Sequence, residues 1–74
     1  MFDPFRNDDI KIDFPVPQRL KALMEEIDGL YQGEDEVRYE AWIGQLGTMS
    51  KSYYLANVLT EKQLNKILDR YGAW

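Results

Sequence analysis

The sequence predicts an all-α fold: a small three-helix bundle, or a helical hairpin plus a short helix, preceded by an extended N-terminal arm. Apolar residues recur every three or four positions along three stretches, and helix-boundary signals separate those stretches. Near the N-terminus, apolar and polar residues instead alternate with a period of two. With 74 residues we expect one domain, composed of an arm at 1–17 and a three-helix domain at 18–74.

The arm has one apolar face. Its apolar positions are Ile10, Ile12, Phe14 and Val16. The intervening positions include Pro15 and Pro17, which cannot donate the hydrogen bonds of a sheet, and a lone strand is unstable. The arm therefore packs along its own helices, pairs with another chain as an added strand, or stays loose. In each case the aromatic rings of Phe2 and Phe5 are candidate anchors.

The first predicted helix spans about 17–32. Pro17 suits the first helical turn, where its missing N–H costs nothing. Gly33 stands where a left-handed residue would end the helix. The apolar stripe between these two positions consists of Leu20, Leu23, Met24, Ile27, Leu30 and Tyr31.

The second predicted helix spans about 36–59. Asp35 can cap its N-terminus, and Glu36 and Glu40 suit the positive end of its dipole. Gly44 and Gly47 either mark a bend or let another helix approach closely, and we favour one continuous or kinked helix. The stripe of this helix contains Tyr39, Trp42, Ile43, Leu46, Met49, Tyr53, Leu55 and Ala56.

The third predicted helix spans about 61–71 and has the clearest boundaries. Thr60 and Gln63 form a capping box, and Gly72 ends the helix. Three amphipathic helices joined by short connections must bury their apolar stripes against one another. The predicted core comprises Leu20, Leu23, Met24, Ile27, Leu30, Trp42, Ile43, Leu46, Met49, Tyr53, Leu64, Ile67 and Leu68.

The composition excludes several chemistries. The chain has no cysteine and no histidine, so disulfides, thiolate nucleophiles, imidazole bases and Cys/His metal sites are impossible. We therefore expect a protein that is not an enzyme and that uses no metal or cofactor. No apolar run is long enough to span a membrane, and the N-terminus lacks the features of a signal peptide, so we expect a cytoplasmic protein.

The charge is unevenly distributed. Residues 1–40 carry a net charge of −6 and residues 41–74 carry +2, within a total of −4. This balance argues against binding to phosphate backbones or anionic membranes, so neither nucleic acid nor membrane is an expected partner. An acidic half can instead face a protein partner with a basic surface.

Carboxylates cluster where the first two helices meet, and a hairpin would gather them at one end of the molecule. We predict that they contact the partner, with Tyr39 and Tyr54 as aromatic anchors. The alternative interpretation is helix capping and a solvated face. The predicted contact charges are Glu25, Glu26, Asp28, Glu34, Asp35, Glu36 and Glu40.

Two other patterns predict different functions. Residues 46–55 resemble the turn and first residues of a recognition helix, which would make the protein a helix-turn-helix-like DNA-binding regulator. Lys62, Lys66 and Arg70 repeat every four residues on the third helix. They either bind a small anionic ligand such as a nucleotide, in a homo-oligomer, or form a solvated face. A purely structural subunit whose arm reaches into its neighbour is a further alternative.

In its small size, its lack of cysteine and its short capped C-terminal helix, the chain resembles small proteins of bacterial phages and mobile elements. That resemblance assigns no role to any residue. Together with the acidic cluster, it predicts a protein–protein interaction module. The specific expectation is an inhibitor that docks on the basic surface of a nucleic-acid-processing enzyme, such as a defence enzyme.

Overall fold

The computed structural model describes residues 2–74, which form three α-helices and a non-helical arm packed against them. The helices are α1 (Gln18–Tyr31), α2 (Glu36–Leu55) and α3 (Glu61–Tyr71). No strand occurs in the part of the chain that the structure describes, so the all-α, three-helix prediction is confirmed. Helix α2 packs against both α1 and α3, whereas the Cα atoms of α1 and α3 stay more than 8 Å apart.

Helix α1 matches its predicted range to within one residue at each end, but it ends differently from the prediction. The predicted left-handed conformation at Gly33 is wrong, because Gly33 does not have a positive φ. Instead, the amide of Gln32 donates to the carbonyl of Gly29 at 3.3 Å and the amide of Gly33 to that of Leu30 at 3.0 Å. These tight turns satisfy terminal carbonyls without a left-handed residue.

Helix α2 runs without a break through Gly44 and Gly47, which confirms the preferred interpretation. Its predicted end at Leu59 is wrong, because the helix ends at Leu55 and Asn57 takes a left-handed conformation with φ 63°. The amide of Val58 donates to the carbonyl of Tyr53, and the amide of Asn57 to that of Tyr54. This is a Schellman ending in which asparagine takes the position usually held by glycine.

The two glycines inside α2 have different surroundings, so replacing each by alanine should change the free energy of unfolding in opposite directions. A Cβ on Gly44 would meet open space, so Gly44→Ala should raise the free energy of unfolding by up to about 1 kcal/mol. A Cβ on Gly47 would lie 2.5 Å from the carbonyl oxygen of Ala73, so Gly47→Ala should lower it by about 1–2 kcal/mol. Urea denaturation measures both, and shifts in the same direction would contradict this packing.

Helix α3 matches its predicted range. The hydroxyl of Thr60 accepts from the amide of Gln63 at 3.1 Å, and the Gln63 side chain accepts from the amide of Thr60 at 2.9 Å. The predicted capping box is therefore confirmed, and so is the left-handed Gly72, with φ 64°. Gly72 turns the chain so that Ala73 becomes buried against α2.

The core differs in part from its prediction. Leu30, Trp42, Ile43, Met49 and Tyr53 are only partly buried, although the helical stripes predicted them in the core. Tyr39 and Tyr71, which lie on the helical stripes, are buried instead and pack next to the arm. Leu59 and Ala73 are also buried, and they follow helix ends, where helical periodicity gives no information. The buried apolar residues are Leu20, Leu23, Met24, Ile27, Tyr39, Leu46, Leu59, Leu64, Ile67, Leu68, Tyr71 and Ala73.

Residues 2–74 contain no helix with both the length and the apolar character needed to cross a membrane.

Candidate functional site

The arm packs along its own helices, which is one of the three arrangements that its sequence allows. Ile10, Ile12, Phe14 and Val16 are partly buried, while the alternating Lys11, Asp13 and Pro15 are exposed. Two turns precede this stretch. The carboxylate of Asp3 accepts from the amide of Phe5 at 2.9 Å, and the side chain of Asn7 accepts from the amide of Asp9 at 3.0 Å. Asp and Asn at the first position of a turn stabilise it in this way.

Arg6 fixes the arm to α1. Its side chain is only 7% exposed, and its guanidinium donates to Asp28 and to Asp8, each at 2.8 Å. The guanidinium carbon lies 4.2 Å from the ring centre of Tyr31 and 5.2 Å from that of Tyr71. Burial disfavours the charged form, but the hydrogen bonds to the two carboxylates outweigh it and raise the pKa of Arg6 above its usual range.

Helix α3 holds the arm from the other side. The carbonyl oxygen of Arg70 accepts from the amide of Asn7 at 2.9 Å, and the guanidinium of Arg70 donates to the carbonyl of Ile10 at 2.6 Å. Lys66 pairs with Asp13 at 3.0 Å, and this hydrogen bond lowers the pKa of the Asp13 carboxyl. Two of the three cations of the predicted anion-binding stripe therefore bind the arm, and Lys62 is exposed.

Docking of the arm creates a groove of about 300 Å³ between the arm and the first turns of α2. Two elements thus build it, together with Gly72 at the end of α3. Carboxylates and aromatic rings dominate its lining, which consists of Phe2, Asp3, Pro4, Phe5, Glu36, Tyr39, Glu40, Ile43 and Gly72.

The three carboxylates of the groove are not equivalent. Asp3 is held in place, because it accepts from the hydroxyl of Tyr39 at 2.8 Å as well as from the arm backbone. Burial and this hydrogen bond raise the pKa of Tyr39 to about 12, so its hydroxyl remains a neutral donor at pH 7. Glu36 and Glu40 lie one helical turn apart, are exposed, and form no ion pair or side-chain hydrogen bond within residues 2–74.

Aromatic rings stand beside these free carboxylates. Phe2 is 83% exposed and Phe5 is 62% exposed. The ring of Phe5 meets the ring of Trp74 edge-on, with the ring centres 6.0 Å apart. Trp74 is itself exposed, so apolar surface extends from the groove lining through Phe5 to Trp74.

The predicted contact charges fall into two groups, those that bind another group of the protein and those that do not. Asp28 pairs with Arg6, Asp35 caps α2 by accepting from the amide of Arg38, and Glu26 accepts from the indole of Trp42. The others are exposed and have no side-chain partner within residues 2–74, and of these only Glu36 and Glu40 line the groove. The exposed residues are Glu25, Glu34, Glu36 and Glu40.

The two predicted aromatic anchors lie far apart. Tyr39 is 3% exposed and lines the groove, whereas Tyr54 lies in the last turn of α2. The helical rise between Glu40 and Tyr54 is about 20 Å, so Tyr54 is not part of the groove. Asp3 was not among the predicted site residues. The signal for it is present in the sequence, since Asp3 followed by Pro4 is typical of a turn.

Residues 46–55, which resemble a recognition helix and its turn, lie inside the continuous α2, and no turn separates two helices there. Among the described residues no group of three or more carboxylates is arranged to hold a metal ion.

No protein-family model matches the chain, and neither the curated proteins nor the solved structures include a significant match.

Proposed function

We propose that this protein is a non-catalytic interaction module that docks the groove on a basic surface of a protein partner. One observation carries the proposal: the carboxylates of Glu36 and Glu40, which have no partner within residues 2–74, line the same groove as the exposed rings of Phe2 and Phe5. Carboxylates alone are compatible with a solvated surface. Exposed aromatic rings beside them add the apolar area that a binding site needs.

Charge and aromatic surface contribute different parts of the interaction. The negative charge of residues 1–40 attracts a basic partner over a distance and raises the rate of association. The aromatic rings are rigid and lose little side-chain entropy, so their burial slows dissociation. Because ion pairs at the rim of an interface contribute little by themselves, the rings and the carboxylates must act together.

A basic surface that binds phosphate backbones is the partner surface this chemistry fits best. Such a surface carries several lysines and arginines, which carboxylates can neutralise in place of phosphates. We therefore propose an enzyme that processes nucleic acids as the partner, located in the cytoplasm, and inhibition as the consequence of docking.

Reversal of the groove charges tests this proposal. Tagged protein captures partners from a nuclease-treated lysate of the source cells, and mass spectrometry identifies them. We expect a stoichiometric nucleic-acid-processing enzyme with the unaltered protein, and at least a tenfold loss of that enzyme with Glu36→Lys combined with Glu40→Lys. A tenfold loss corresponds to about 1.4 kcal/mol of binding free energy.

The matched control combines Glu25→Lys with Glu61→Lys, which changes the net charge equally at exposed helical positions outside the groove. This control should retain the enzyme, and the purified enzyme should lose activity when the unaltered protein is added. Equal loss in both double variants would show that net charge rather than the groove governs binding. Capture of no such enzyme, or full activity of the saturated enzyme, would contradict the proposal.

A further inference from the structure

The groove combines two kinds of group that together recognise one kind of side chain. Three of its lining residues are aromatic and three carry carboxylates, and together they border a space of about 300 Å³. A planar guanidinium stacks on aromatic faces and donates two parallel hydrogen bonds to a carboxylate. The ammonium of lysine is a compact, strongly hydrated charge that makes less use of aromatic faces. The aromatic residues are Phe2, Phe5 and Tyr39, and the acidic residues are Asp3, Glu36 and Glu40.

The same protein already surrounds one of its own arginines in this way. Arg6 lies against the rings of Tyr31 and Tyr71 and donates to two carboxylates. There the chain itself supplies both the guanidinium and the carboxylates that pair with it. In the groove, the carboxylates of Glu36 and Glu40 have no cationic partner within residues 2–74. The groove therefore has the surroundings of an arginine site without its arginine.

We propose that the groove receives an arginine side chain from the partner's basic surface, an inference that rests on the proposed function. Glu36 and Glu40 accept hydrogen bonds from the guanidinium, while the exposed ring of Phe2 covers its flat face. Asp3 is already an acceptor for Tyr39 and for the arm backbone, so it adds negative charge and keeps the arm wall of the groove in place. The groove therefore binds arginine in preference to lysine.

Titration of the ¹⁵N-labelled protein with defined peptides tests this inference without the natural partner. The probe is acetyl-Gly-Ser-Arg-Ser-Gly-amide, compared with the same peptide carrying lysine or citrulline in place of arginine. Citrulline keeps the planar shape and removes the charge. We expect saturable shifts in the amide signals of residues 2, 3, 5, 36–43 and 72, at least fivefold weaker binding of the lysine peptide, and no saturation with citrulline.

Matched variants separate the groove from general acidity. Glu36→Gln combined with Glu40→Gln should weaken arginine binding at least tenfold, while Glu61→Gln should not change it. Phe2→Ala should weaken binding at least threefold. Val37→Ala is its control. Val37 is as exposed as Phe2 and follows Glu36 in the first turn of α2, but it does not line the groove. Equal binding of the arginine and lysine peptides, or shifts that map outside the groove, would overturn the inference.

The two proposals can fail separately. If Glu36→Lys with Glu40→Lys abolishes capture of the enzyme but the arginine peptide does not bind the groove, docking stands and the arginine inference fails. If the arginine peptide saturates the groove but no nucleic-acid-processing enzyme is captured, the arginine site stands and the proposed function fails.

Discussion

Replacement of Arg6 by alanine is expected to lower the free energy of unfolding by about 2–3 kcal/mol and to detach the arm from α1. The substitution removes two charge-assisted hydrogen bonds and the packing of a buried guanidinium against the rings of Tyr31 and Tyr71. A fully buried pair would cost more to break. Here Asp28 is 45% exposed, so water can solvate its carboxylate once Arg6 is gone.

Urea denaturation gives the stability change, and the amide spectrum of residues 2–10 reports whether the arm remains docked. Lys66→Ala is the control, because it removes an ion pair between the same arm and α3 at an exposed site. Such pairs contribute little, so this variant should unfold at nearly the original urea concentration. If Arg6→Ala and Lys66→Ala had the same small effect, Arg6 would not be the anchor of the arm. Since the arm forms one wall of the groove, Arg6→Ala should also abolish binding of the arginine peptide.

Replacement of Gly72 by alanine is expected to lower the free energy of unfolding by about 2–4 kcal/mol. Gly72 has φ 64°, a conformation that is costly for residues with a side chain. An added Cβ would also lie 2.5 Å from the Cβ of Phe5 and 2.9 Å from its carbonyl oxygen. Backbone and arm would both have to move, so the strain cannot be relieved by one side-chain rotation.

The control for this variant is Gly33→Ala. Gly33 does not have a positive φ, and an added Cβ would meet the carbonyl oxygen of Leu30 at an ordinary 3.6 Å. Its unfolding free energy should therefore change by less than about 1 kcal/mol. Thermal and urea denaturation of the two variants measure the difference. A Gly72→Ala protein as stable as Gly33→Ala would show that the close contact between the arm and the end of α3 is absent.

Helix starts were more predictable from this sequence than helix ends. Asp35 and Thr60 act through hydrogen bonds to amides three residues ahead, a local pattern that the sequence displays directly. The end of α2 was missed because Asn57, not glycine, takes the left-handed conformation. Asparagine tolerates that conformation but also occurs inside helices, so its presence alone did not predict a helix end.

The groove was only half predictable. Glu36 and Glu40 follow from the predicted cap of α2, and a role for Phe2 and Phe5 followed from their position in the arm. The contribution of Asp3 depends on its hydrogen bond to Tyr39, 36 residues along the chain. A period of two shows which face of the arm is apolar, but it does not show which helix that face meets. Contacts of this kind depend on the assembled fold and lie beyond local patterns.

The arm and the α3 residues that hold it are far apart in the sequence, so they leave the ribosome at different times. The ribosome makes the arm first, yet the arm bonds to Lys66 and Arg70, which lie 53 to 62 residues later. Until α3 has emerged, Arg6 lacks the ring of Tyr71, and the groove lacks the contribution of Gly72. A nascent or prematurely terminated chain that ends before α3 therefore lacks the α3 contacts that hold the arm and one residue of the groove lining. Under the proposed function, the complete groove is offered to a partner only by molecules whose translation has passed the third helix.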